Sequence, residues 1–151
     1  MTELDALQSA LARLHEAVYG YGLAGAHLDR ALRSVAAVRL RETQVLRDAV
    51  AAQVSRNGGT PTPAAPAYTP PTPVVDTASA ADLLADIETA SAGAAWDLVA
   101  ASGPDSRSRR LAVGWLSSAA RAGFEWRAVA QTTDGVSTTM PFGPSLPGQP
   151  G

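Results

Sequence analysis

Positions Leu4, Leu7, Leu11, Leu14, Val18, Tyr21, Gly25 and Leu28 follow one another in alternating steps of three and four. That spacing keeps them on one stripe of an α-helix, the seam of a left-handed helical packing, and predicts a helix over 3–27. Thr2 with Asp5 forms a capping pattern at its start. A second helix is predicted over 30–57, from Leu32, Val35, Val38, Val45, Leu46 and Val50, ending at Asn57-Gly58-Gly59. Only a short link near His27 to Asp29 separates the two, so they should pair as an antiparallel hairpin.

The stretch "TPTPAAPAYTPPTPVVD", residues 60–76, breaks the helical pattern. Proline at this density rules out helix and central strand and favours an extended path. Neither flanking half could bury its apolar stripe well alone, so 58–78 is expected to cross the outside of the bundle, anchored by Tyr68 and Val74-Val75. A third helix is predicted over 79–101, with Ser79-x-x-Asp82 as its cap and Leu84, Ile87, Ala94 and Leu98 inward. "SGPD" (102–105) reads as a turn whose proline enters the first turn of a fourth helix, 105–131, with Ala112, Trp115, Ala119, Ala122 and Trp126 on one face. Residues 132–151 read as an extended C-terminal tail. The architecture expected is an all-α antiparallel four-helix bundle over 1–131, with one long Pro-rich crossover between helices two and three.

Composition removes much chemistry. The chain of 151 residues has no cysteine, which excludes disulfides, thiolate nucleophiles and zinc-thiolate sites. Its twelve basic residues are all arginine, so lysine Schiff bases and lysine-dependent phosphate loops are excluded too. A net charge of −2 argues against nucleic acid as a partner. No apolar run reaches the ~20 residues a membrane span needs. The opening "MTELDALQ" carries acids where a secretory signal carries basic residues, and a cytoplasmic location is expected.

Charge is sorted between helices. The second carries Arg30, Arg33, Arg39, Arg41, Arg47 and Arg56, whereas the third carries Asp82, Asp86, Glu88 and Asp97 with no basic residue. These surfaces are expected to balance each other within the bundle or across a dimer. The alanine-rich surfaces pack at low entropic cost, and a homodimer is expected.

Five polar residues are candidates for the interior: His15, Tyr21, Glu42, Glu88 and Glu125. His15-Glu16 falls short of a zinc helix because Tyr19 stands where the second histidine belongs. Adjacent helical residues also point about 100° apart, so that pair cannot share an ion. Glu42 lies four residues after Val38 and three before Val45, and so leans inward, where it needs an arginine or hydroxyl partner. "RSRR" (107–110) is a modest basic cluster that reads as a solvated face. No Glu-x-x-His occurs anywhere, and the two histidines, His15 and His27, both lie in the first hairpin arm.

"VYGYGLAGA" (18–26), Arg47-Asp48, "APAYTPPTPVVDTASA" (65–80) and Trp126-Arg127 before "PFGPSLP" together resemble the actinobacterial ferritin-like proteins, a family of unknown function. The resemblance implies a ferritin-like bundle and no established activity. Relatives carry Glu-His in helix one where this chain has Leu14-His15. A di-metal centre of that superfamily takes an inward glutamate from each of two helices and Glu-x-x-His from each of the others. The expectation is therefore a bundle without metal, cofactor or catalytic residues. Its role would be dimerising, or binding a protein or small-molecule partner. A metal-binding oxidoreductase or iron-handling protein is the alternative.

Overall fold

Helices α1 (Glu3–Gly25), α2 (Arg30–Arg56), α3 (Thr77–Ala101) and α4 (Arg107–Thr133) follow one another along the chain. The computed structural model describes residues 1–133, and no strand occurs among them. The tail expected from 132 onward thus lies outside the described residues, apart from Thr132 and Thr133, which continue α4. None of the four helices is long and apolar enough to cross a membrane.

Local chemistry sets the helix ends. Thr2 Oγ1 accepts the Asp5 N–H at 3.1 Å while the Asp5 carboxylate accepts the Thr2 N–H at 2.9 Å, a reciprocal cap on α1. Asp29 caps α2 by accepting the Leu32 N–H at 3.1 Å. At the other end of α2, Gly58 has φ +83°, and the N–H groups of Gly58 and Gly59 donate to the carbonyls of Ser55 and Val54. This Schellman arrangement needs a residue free to adopt the left-handed region, which glycine supplies.

Two starts differ from expectation. The cap of α3 is Asp76, which accepts the Ser79 N–H at 2.8 Å, so the helix begins one half-turn before Ser79 and Asp82 has no capping role. The buried Ala78, Ala80 and Ala81 reward that earlier start. Pro104 stays in the turn before α4, and Ser106 Oγ accepts the Arg109 N–H at 3.1 Å instead. Within "RSRR", Arg109 is only half exposed, and its Nη1 donates to the Val99 carbonyl at 2.8 Å, satisfying an orphan acceptor at the end of α3.

In sequence order the helices run up, down, down and up. Antiparallel α1/α2 contact is shown by Asn57 reaching Glu3, and antiparallel α3/α4 contact by Arg127 reaching Asp82 and Asp86. Helix α1 packs on both α2 and α3, and α3 packs most closely on α4, whereas α2 and α4 barely meet. Residues 57–76 return along α1. Gln8 Nε2 donates to the Thr60 carbonyl at 2.7 Å, Tyr19 and Tyr68 meet edge to face at 5.5 Å, and Thr77 Oγ1 donates to the His27 carbonyl. Val74 packs against the core, but Val75 is 72% exposed and anchors nothing.

The core has two parts. Leu7, Leu11, Leu14, Val54, Leu98 and Trp115 fill one end; Tyr21, Leu28, Leu84 and Trp126 fill the other. Alanines at 85, 95, 112, 119 and 122 are buried on α3 and α4, which lets these helices approach closely and leaves room for the two tryptophans. On α2 the expected face is corrected: Val35, Val38 and Val45 are 50%, 47% and 71% exposed. The inward stripe is Leu32, Ala36, Arg39, Thr43, Leu46 and Val50, with Leu40 packed at its edge.

Candidate functional site

Where the two halves of the core meet, one side chain from each helix joins a single hydrogen-bonded cluster. Tyr21 of α1 donates its hydroxyl to Glu88 Oε1 of α3 at 2.6 Å. Arg39 of α2 donates to the same oxygen from Nη2 at 2.7 Å and from Nε at 3.2 Å. Trp126 of α4 donates its indole N–H to the Tyr21 hydroxyl at 2.9 Å, its ring edge-on to Tyr21 with centroids 6.3 Å apart. The tyrosine hydroxyl thus accepts one bond and donates another, and the carboxylate charge is matched by a guanidinium.

The surroundings explain why the cluster holds. The Glu88 side chain is 3% exposed and that of Arg39 is 17% exposed. Gly123 on α4 lets α3 come so near that an added Cβ would lie 3.4 Å from the Glu88 Cβ. Burial pushes the Tyr21 hydroxyl pKa upward, and the charge of Glu88 and its hydrogen bond push it further. Burial alone would lower the Arg39 pKa, but Glu88 outweighs it and the net shift is upward. Tyr21 is therefore held neutral and Arg39 charged at physiological pH.

Of the five interior candidates, the fold brings Tyr21 and Glu88 together and leaves the others apart. Glu42 does not point inward: its side chain is 57% exposed and accepts a bond from Arg39 Nη1 at 3.1 Å from the outer side. The inward position it was expected to take belongs to Arg39. Glu125 is exposed, since Trp126 next to it faces the core. His15 is half-buried under the crossover, its Nε2 within 3.0 Å of the Thr62 carbonyl. Arg39 and Trp126 were not among the candidates. The signal for Arg39 was present, as it continues the four-and-three spacing from Leu32 and Ala36 to Thr43.

The site opens to one side. Because α2 and α4 stand apart, a cleft of about 390 Å³ lies between them, with Glu88 and Ser91 at its floor and Leu46, Leu111 and Trp115 on its walls. A smaller cavity of about 220 Å³ lies under the crossover, between Tyr19, Tyr68 and Ile87. Among the described residues, no three histidine, cysteine, aspartate or glutamate side chains gather where they could share a metal ion.

Four helices, one long connection and a charged cluster at mid-bundle define a ferritin-like bundle. Residues 6–151 match the family described as Domain of unknown function (DUF4439), and the chain belongs to that family. It is similar to the crystal structure of a conserved hypothetical protein from Mycobacterium tuberculosis, at 30% identity over 84% of this chain and 96% of that one, with a TM-score of 0.78. It also shares its fold with a dodecameric thioferritin from Bacteroides fragilis, at 16% identity, 87% and 86% coverage and a TM-score of 0.73. No curated protein matches it in sequence.

Proposed function

We propose that this chain is a non-enzymatic ligand- or partner-binding bundle in which a buried arginine takes the place that a di-metal centre holds in other ferritin-like proteins. The observation that carries this reading is the Arg39–Glu88 pair. A bridging carboxylate must offer both its oxygens to metal, yet Glu88 Oε1 already accepts from Tyr21 and twice from Arg39. A metal cation beside the Arg39 guanidinium would meet like charge in a partly buried site. The remaining donors do not complete a set, because His15 is under the crossover, Glu42 is 57% exposed at the cleft and paired with Arg39, and Glu125 lies outside. The residues present do not fit a di-metal centre, and the fold shared with the thioferritin brings none with it.

Elemental analysis of protein purified after growth with added iron or manganese tests this reading, with metal well below one equivalent expected. Stoichiometric metal lost on Glu88→Gln would overturn it.

A homodimer is part of the same proposal. Val38 and Val45 on α2 and Phe124 on α4 expose large apolar side chains that a second copy would cover. Light scattering at micromolar concentration should give twice the 15.5 kDa chain mass, and a clean monomer would count against it.

A further inference from the structure

We propose that the cleft between α2 and α4 binds an uncharged organic molecule, which donates a hydrogen bond to Glu88 and lays an apolar body against Trp115. The inference rests on the absence of metal at Glu88 argued above, and it names the class of ligand. Glu88 and Ser91 are each 2% exposed and stand one turn apart on α3. All three bonds to the Glu88 carboxylate end on Oε1. Among the described residues, neither its Oε2 nor the Ser91 hydroxyl has a protein partner. Both residues line the cleft and open their oxygens to it, whereas among the described residues the one fully enclosed side-chain oxygen left unpaired is that of Ser108. Two unpaired oxygens on residues that are otherwise enclosed, both open to the floor of one cleft, offer a ligand an acceptor and a hydroxyl side by side.

Charge and shape narrow the chemistry. Two acids, Glu42 and Glu88, and two arginines, Arg39 and Arg110, face the cleft, so its net charge is zero. An anion would meet Glu88 and a cation would meet Arg39, which leaves a neutral donor such as an amide or hydroxyl as the fitting group. One water could satisfy the floor, but it would leave the walls of Leu46, Leu111 and Trp115 wet. The cleft volume of about 390 Å³ falls within the ~300–1,000 Å³ of ordinary small-molecule sites. Gly114 on the wall keeps this space open, because a Cβ added there meets nothing within 4 Å.

The test is a titration of the full-length, chelator-treated, ¹⁵N-labelled protein with benzamide, benzoate and benzylamine, three monosubstituted benzenes of nearly equal size that differ in charge. Benzamide should give saturable shifts at Glu88, Ser91 and the Trp115 indole, with affinity about tenfold or more above the charged probes. Ser91→Ala should weaken it. Gly114→Leu, whose Cβ meets nothing within 4 Å and whose side chain extends into the cleft, should abolish it while the protein still unfolds cooperatively. No saturable shift by ~10 mM benzamide, preference for either charged probe, or unchanged binding in Gly114→Leu would overturn the proposal. Benzamide displacing amides of residues 134–151 from the cleft would also overturn it, by naming the chain's own tail as the occupant. Because the titration uses chelated protein, its failure is separate from the outcome of the metal analysis.

Discussion

Replacing Arg39 by methionine isolates what the guanidinium does for the bundle. Methionine keeps most of the apolar stem and removes the charge, leaving the Glu88 carboxylate, 3% exposed, with only the Tyr21 hydroxyl as a donor. Breaking one partner of a buried pair costs about 3–5 kcal/mol. Arg39 is 17% exposed and opens on the cleft, so water can partly replace it, and the lower end, about 3 kcal/mol, is expected. Glu88→Gln should cost less, about 1–2 kcal/mol, because Arg39 keeps Glu42 and stays partly solvated. In the double variant no buried charge remains, so the two losses should fall short of additivity by at least about 1 kcal/mol. Urea unfolding followed by circular dichroism of the four proteins reads these values directly. Against a typical stability of about 5–15 kcal/mol, the Arg39→Met shift in midpoint is large enough to leave no ambiguity. Strict additivity, or a loss below about 0.5 kcal/mol for Arg39→Met, would refute the claim that Arg39 compensates Glu88.

The raised Tyr21 pKa makes stability fall as pH rises above the ordinary value of 10.0, because only the unfolded chain then releases that proton. The slope should approach 1.4 kcal/mol per pH unit and be missing in Tyr21→Phe, as melts between about pH 9 and 11 would show. Gly114→Ala should stabilise the protein by about 0.5–1 kcal/mol, since an alanine methyl meets no neighbour there and helix propensity improves; a lower melting temperature would contradict that reading. Leu14→Glu, which puts in helix one the acid that the resemblance to ferritin-like proteins implies, should lower the melting temperature without bringing in metal, because Leu14 is fully buried against apolar neighbours. Stoichiometric iron together with a raised melting temperature in that variant would refute the account of the bundle centre.

The four helices were legible because each carries a helical period bounded by turn or proline-rich residues, and their ends fell within about two residues of the observed ones. The seams of α1 and α4 were legible because leucine and tryptophan mark them. Helix α2 was misread for a physical reason. Its inward stripe is built from Ala36, Arg39 and Thr43, which carry little hydrophobic signal, while Val35, Val38 and Val45 carry much and face solvent. That error moved Glu42 inward and hid Arg39. At the start of α3 two overlapping patterns competed, Asp76-x-x-Ser79 and Ser79-x-x-Asp82, and burial of the alanines decided for the first. Glu88 and Tyr21 were legible as interior polar residues. Their meeting with Trp126, a contact spanning 105 residues from Tyr21, depends on how three helices pack and on no local pattern.

An inward acid in a four-helix bundle needs a cation, and the choice of cation decides what the bundle can do. A metal ion demands several carboxylates and histidines converging from all four helices. A guanidinium demands only one acid, and its long stem reaches that acid from a helix that need not pack tightly beside it. Arg39 therefore lets α2 pack chiefly on α1, and the gap this leaves against α4 becomes the cleft. The crossover covers the opposite groove, between α1 and α3, by pairing its backbone with Gln8 and setting Tyr68 edge-on to Tyr19. One groove is thus covered by the crossover, and among the described residues the other stays open over an acid that keeps one oxygen free. In the reading proposed above, losing the metal and gaining the cleft are one substitution of chemistry, with Arg39 as its pivot.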